Sequence, residues 1–225
     1  MTGPLDPTSE PTDADVVATW FLDADEPSVR LFARDACAGE ADQTSRAVAI
    51  FAKVRDAIWY DPHSVSRDPA DHRASAVVAG AQRWCVPKAV LLAASCRSVG
   101  IPARLGFADV RNHLQSPALS ERMGTDVFFW HGYALLWLDG AWRKASPAFN
   151  RELCERFGTQ PLAFDGVHDA LLHAHDGDGR RHMEYLHHRG VYADLPLEDI
   201  FATFDREYPT SGSGKPGDPA FAPPA

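Results

Sequence analysis

Two residues of this chain have types and settings suited to nucleophilic catalysis: Cys85 in "QRWCVPKA" and His131 in "FFWHGYALLW". Pro87 fixes φ and lacks an N–H, which a helix tolerates only in its first turn, so the helix formed by the following apolar run begins at or just before Cys85. At a helix N-terminus the unpaired amides and the positive end of the macrodipole favour thiolate over thiol, and the same amides can bind a developing oxyanion. A thiol nucleophile needs a base. His131 interrupts an otherwise apolar strand pattern, where an imidazole has to be hydrogen-bonded or used. The expectation is a Cys85 thiol of lowered pKa, served by His131. An inert, packed thiol is the better description of Cys96, which lies roughly 16 Å further along the same helix in an apolar stripe. Cys37 and Cys154 lack a comparable flank and read as structural.

The elements that must position this pair follow from periodicity. "PSVRLFARDAC" and "DQTSRAVAIFAKVRDAIWY" carry apolar residues at three- and four-residue spacing with Asp, Pro or Ser near their starts, which predicts two helices. "CVPKAVLLAASCRSV" is apolar nearly all round, as a central helix must be, and Gly100 is placed to end it. Strands follow in "PARLGFADV", "DVFFWHGYALLWLD" and "AWRKASP", the last two joined by Asp139-Gly140, a two-residue hairpin signal. Residues 161–196 read as further short strands and loops, and a last helix spans about 196–207. Residues 1–13 and 209–225 are rich in Pro, Gly, Ser, Thr and acids and read as disordered tails around a single domain of residues 14–208.

The order of these features resembles the transglutaminase-like superfamily of papain-like fold, in a bacterial branch. The motifs are "WCVPKAVLLAASCRSVGIPARLGF" and "FFWHGYALLWLDGAWRKASPAFN", with "FADVRNHL", "FDG" and "MEY" extending the likeness to about residue 208. The resemblance implies an α+β fold: N-terminal helices, and the nucleophile at the start of a central helix packed on an antiparallel sheet. It also implies Cys85 as nucleophile and His131 as base and later acid. The third member departs from the pattern, because Ser146 stands before Pro147 where the superfamily usually has Asp. A serine hydroxyl can hold the imidazole tautomer but supplies no charge. Asp165, Asp109 or Asn112 could orient the ring instead. Arg111 and Asn112 are candidates to contact a substrate carboxylate or carbonyl. The Cys85 amide should serve the oxyanion, with Gln82 and Trp84 nearby in sequence as further substrate contacts.

Composition narrows the field. With 45% hydrophobic residues, the 225-residue chain can build a substantial core. A net charge of -9 argues against nucleic acid or an anionic membrane surface as partner. The chain lacks a long apolar run and a basic, apolar N-terminus, so it reads as cytoplasmic, with its four cysteines reduced. The histidines from 168 to 188 show neither HxxxH nor HExxH spacing and read as a solvated turn, so no metal and no cofactor is expected. Two functions fit. One is Cys-His acyl transfer from a small-molecule or peptide donor to water or an amine acceptor; the other is a non-catalytic peptide- or protein-binding module on the same scaffold.

Overall fold

The computed structural model describes residues 3–115, 117–208 and 219–223. The N-terminal half contributes α1 (Pro27–Ala36), α2 (Gln43–Ala57), the short strand β1 (Trp59–Tyr60), α3 (Ala74–Ala79), β2 (Gln82–Arg83) and α4 (Cys85–Ser98). The second half contributes β3 (Ala103–Asn112), α5 (Pro117–Met123), β4 (Val127–Leu138), β5 (Ala141–Ala145), α6 (Arg151–Arg156), β6 (Met183–Tyr192) and α7 (Leu197–Glu207). The fold class is α+β, as the sequence predicts.

Helix α4 is the hub. Every residue from Cys85 to Arg97 is buried, because α1, α2 and α3 pack against one side of it and β3 and β4 against the other. Gly100, at φ +81°, ends it in the left-handed conformation that only glycine adopts freely. The sheet is antiparallel in the order β5-β4-β3-β6. Asp139 and Gly140, at φ 49° and 79°, make the tight β4–β5 turn.

Two polar anchors hold the helical layer to the site. Lys88, fully buried one turn into α4, donates from Nζ to the carbonyls of Arg55 and Ile58 at the end of α2. Asn150 donates to the same two carbonyls at 2.7 and 3.0 Å and accepts the Tyr60 N–H at 2.6 Å. These bonds occupy carbonyls that the end of α2 would otherwise leave unpaired, and they fix β1 beside β2, the two-residue strand that runs directly into Cys85.

Three sequence expectations need correction. In the N-terminal tail expected over residues 1–13, the described residues 3–13 are held in place. Leu5 donates to the Val191 carbonyl at 2.6 Å, and buried Arg104 binds the Asp6 and Glu10 carbonyls and the Asp15 carboxylate. Apolar content alone misses a segment that is held by a buried cation in search of acceptors. Residues 161–196 contain one ten-residue strand, β6, in place of several short ones; β3 is its neighbour in the sheet and Leu5 bridges to it at Val191, so a position at the end of the sheet accommodates its polar side chains. In the expected C-terminal tail, 209–218 and 224–225 lie outside the described residues, but 219–223 fold back onto β1 and α6.

Among the described residues, no helix is long and apolar enough to cross a membrane.

Candidate active site

Cys85 is the first residue of α4, follows the N-cap Trp84, and is 6% exposed. His131 approaches from β4, which passes so close to the helix start that a Cβ on Gly132 would lie 3.0 Å from the Cα of Val86. Glycine is required there because the strand backbone rests on the helix backbone. Gly132→Ala is therefore expected to destabilise the protein by about 1–3 kcal/mol through overpacking, read as a melting temperature lowered by several degrees. The close approach also brings the Gly132 backbone near enough to the Cys85 sulfur to favour its thiolate form.

Ser146 completes the row. Beyond the last pair of β4 and β5, Ala134 with Ala145, the ladder would continue to Ser146, and His131 lies on the face of that ladder where a diagonal neighbour can reach. Its Oγ is 3.0 Å from His131 Nε2, and both side chains are buried. The Ser146 N–H donates to the Ala170 carbonyl at 2.9 Å, which pins the serine.

The imidazole is set in place by an irregularity in β4. Phe129 and Trp130 stand opposite the single β3 residue Asp109, so the ladder bulges immediately before His131. Trp130 takes φ 58°, a left-handed conformation costly for a bulky residue. Its N–H donates to Asp109 Oδ1 at 3.1 Å, and its indole N–H donates to Thr203 at 2.9 Å. Asp109 in turn accepts two bonds from Arg189, at 2.7 and 2.8 Å.

The other candidates fall into place around this row. Asp109 holds the backbone before His131 and does not contact the ring. Asp165 is exposed and caps a turn through the His168 side chain and the Val167 and His168 amides. Asn112 accepts the Leu114 N–H at 3.0 Å, which settles a turn, yet it does line the cavity described below. Arg111 is half-exposed and paired with Asp126 and Glu184. Gln82 is half-buried on β2. Trp84 packs edge-on to His72 and against Phe204, and its buried Nε1 has no hydrogen-bond partner among the described residues. Among the described residues, Ser146 is the candidate whose side chain is hydrogen-bonded to the His131 ring; the hydrogen bonds of Asp109, Asp165 and Asn112 go elsewhere.

Charge is where the site departs most from expectation. Burial raises the Cys85 thiol to about 11, although hydrogen bonds from the Gly132, Cys85 and Val86 backbone and the nearby Lys88 charge act the other way. Burial likewise lowers His131 to about 4. The lowered thiol pKa expected from the helix N-terminus is overturned: loss of water outweighs the macrodipole, and the resting pair is neutral thiol and neutral imidazole. Cys96 is raised as well, by burial, as an inert core thiol should be. All four cysteines are unpaired.

A cavity of about 400 Å³ opens beside the pair. His131, Tyr60, Asn112, Phe149, His182 and Phe221 are among its walls, and Cys85 is not. Sequence reasoning missed the phenols: Tyr60, Tyr185 and Tyr208 have pKa values raised first by burial and also by the nearness of the Cys85 thiol. They come from three remote segments, and no spacing signal links them. Among the described residues, no group of three or more His, Cys, Asp or Glu side chains is placed to hold a metal ion.

Among curated proteins, none matches the chain. A solved structure from Cytophaga hutchinsonii, provisionally named a cysteine protease, is 16% identical and superposes with a TM-score of 0.46 over 59% of this chain and 40% of its own. A second, from Parabacteroides distasonis and provisionally named a protease, is 14% identical with a TM-score of 0.37, over 56% of this chain and 25% of its own. The chain thus spans less than half the length of either. Residues 30–147, just over half the chain and including Cys85, His131 and Ser146, match the transglutaminase-like superfamily, to which this protein belongs.

Proposed function

We propose that this protein is a cysteine-dependent acyl-transfer enzyme acting on an amide, ester or thioester carbonyl. The observation that carries the reading is the juxtaposition at the start of α4. β4 crosses the start of α4 at Gly132, the residue after His131, and Ser146 Oγ lies 3.0 Å from Nε2 of that imidazole.

When the Ser146 hydroxyl accepts the Nε2 proton, the lone pair of Nδ1 is left to act as base. Because the resting pair is neutral, His131 takes the thiol proton as sulfur attacks the carbonyl, in place of drawing on a preformed thiolate. The carbonyl oxygen becomes an oxyanion that the Cys85 amide can receive. The imidazolium then protonates the leaving group, an acyl-enzyme remains on Sγ, and water or an amine takes the acyl group. Hydrolysis and transfer to an amine share this scheme.

One observation favours the second reading, a non-catalytic recognition module: a serine in place of a carboxylate leaves the imidazolium without a counter-charge. The test is intact-mass measurement after incubation with a panel of amides, thioesters and peptides, with and without amines. The expected result is an acyl adduct that maps to Cys85 and to none of Cys37, Cys96 or Cys154. A broad panel that leaves the mass unchanged would establish the module.

A further inference from the structure

Segment 219–223 makes contacts that its composition does not require. Pro219–Phe221 forms a 3-10 turn, and Phe221 is 8% exposed. Its ring lies 5.3 Å from that of Phe157 and 6.1 Å from that of Tyr60, edge-on in both cases. The Trp59 indole N–H donates to the Phe221 carbonyl at 2.6 Å, and Arg156 donates to the next carbonyl, Ala222, at 2.7 Å. Tyr60, Phe157 and Phe221 all stand in the wall of the cavity that contains His131.

A niche for one aromatic ring, flanked by donors to two successive main-chain carbonyls, has the composition of a peptide-binding subsite: apolar surface for affinity, a few placed polar groups for orientation. We propose that the niche formed by Trp59, Tyr60, Arg156 and Phe157 binds an aromatic side chain of a peptide substrate, and that Phe221 fills it in cis as a competing occupant. The peptide's role as acyl donor rests on the proposed reaction; its binding does not. An occupant on the same chain competes intramolecularly, so a free peptide must displace it and binds the parent protein weakly.

The test uses the full chain carrying Phe221→Ala, with acetyl-Pro-Ala-Phe-Ala-Pro-amide as probe and the same peptide with alanine in place of phenylalanine as control. The probe is expected to bind the variant at least about tenfold more tightly than the parent, and the control to bind neither. A second readout separates recognition from packing. Short peptide vinyl sulfones carrying Phe or Ala label a thiol by addition across the vinyl group, with no group lost. In Phe221→Ala, the Phe reagent should label Cys85 at least about tenfold faster than the Ala reagent, and faster than it labels the parent. If Phe221→Ala loses its cooperative melt, Phe221→Leu is used, with intermediate effects expected. Equal probe binding by parent and variant, or no binding by a variant that still melts cooperatively, overturns the proposal. So does equal labelling by the two reagents. Selective binding without any labelling leaves the subsite standing and removes the acyl-transfer reading.

Discussion

Ser146→Asp is expected to make the thiolate–imidazolium pair about 100-fold more abundant relative to the neutral pair, read as faster alkylation of Cys85 by iodoacetamide at about pH 5–6, where free thiolate is scarcest. The gain should shrink as the pH rises and free thiolate comes to carry the rate in both proteins. A carboxylate at this position would sit where Oγ now lies 3.0 Å from Nε2. Opposite charges 4 Å apart at an effective dielectric near 20 interact by about 4 kcal/mol, and a pKa unit corresponds to about 1.4 kcal/mol. The buried carboxylate's own desolvation offsets part of this, which leaves a rise of about two units in His131.

The sign follows from the resting state. With the thiol at about 11 and the imidazole at about 4, the neutral pair dominates the whole range between. Proton transfer from Sγ to the ring is uphill, and each unit added to the histidine makes the ion pair tenfold more abundant. The ion pair carries no net proton change, so its contribution does not vary with pH and shows most where free thiolate is scarcest. An unchanged rate at about pH 5–6 in a variant that still melts cooperatively would mean that Ser146 does not control the charge on His131.

The elements that carry the site were legible because each has a strong local signature. Pro87 marks the start of α4, Gly100 its end, and Asp139-Gly140 the β4–β5 turn. The family resemblance adds the third position, and in the structure Ser146 does face the imidazole. What sequence could not reach depends on long-range packing. The thiol pKa is one case: a helix N-terminus is a local property, but the burial of Cys85 depends on long-range packing such as that of β4 across the start of α4. The ordered N-terminal segment is another, since its anchor, Arg104, lies about ninety residues away and offers charge where the sequence shows only polar composition. Short elements such as β1, β2, α3 and α6 have too few residues for any periodicity to register, although two of them frame the niche that holds Phe221.

Replacement of Asp109, which holds the Trp130 backbone beside His131, has the second large effect. Asp109→Ala removes the carboxylate that pairs with Arg189, whose side chain is only 20% exposed. Breaking a buried pair costs about 3–5 kcal/mol. Partial access of Arg189 to water puts this case near about 3 kcal/mol, or about 6–12 °C in melting temperature for a domain of this size. The loss should reach the site as well. The Trp130 N–H loses its acceptor, so nothing offsets the left-handed conformation at φ 58°, and relaxation of the bulge would move the adjacent His131. Slower labelling of Cys85 by acyl donors is therefore expected together with the lower melting temperature. Asp109→Asn separates the two effects: it keeps an oxygen for the Trp130 N–H but gives up the charge facing Arg189. It should lose stability while labelling Cys85 at close to the parent's rate. If Asp109→Asn instead slows labelling as severely as Asp109→Ala, the carboxylate charge acts on His131 directly, and its assignment to the backbone is wrong.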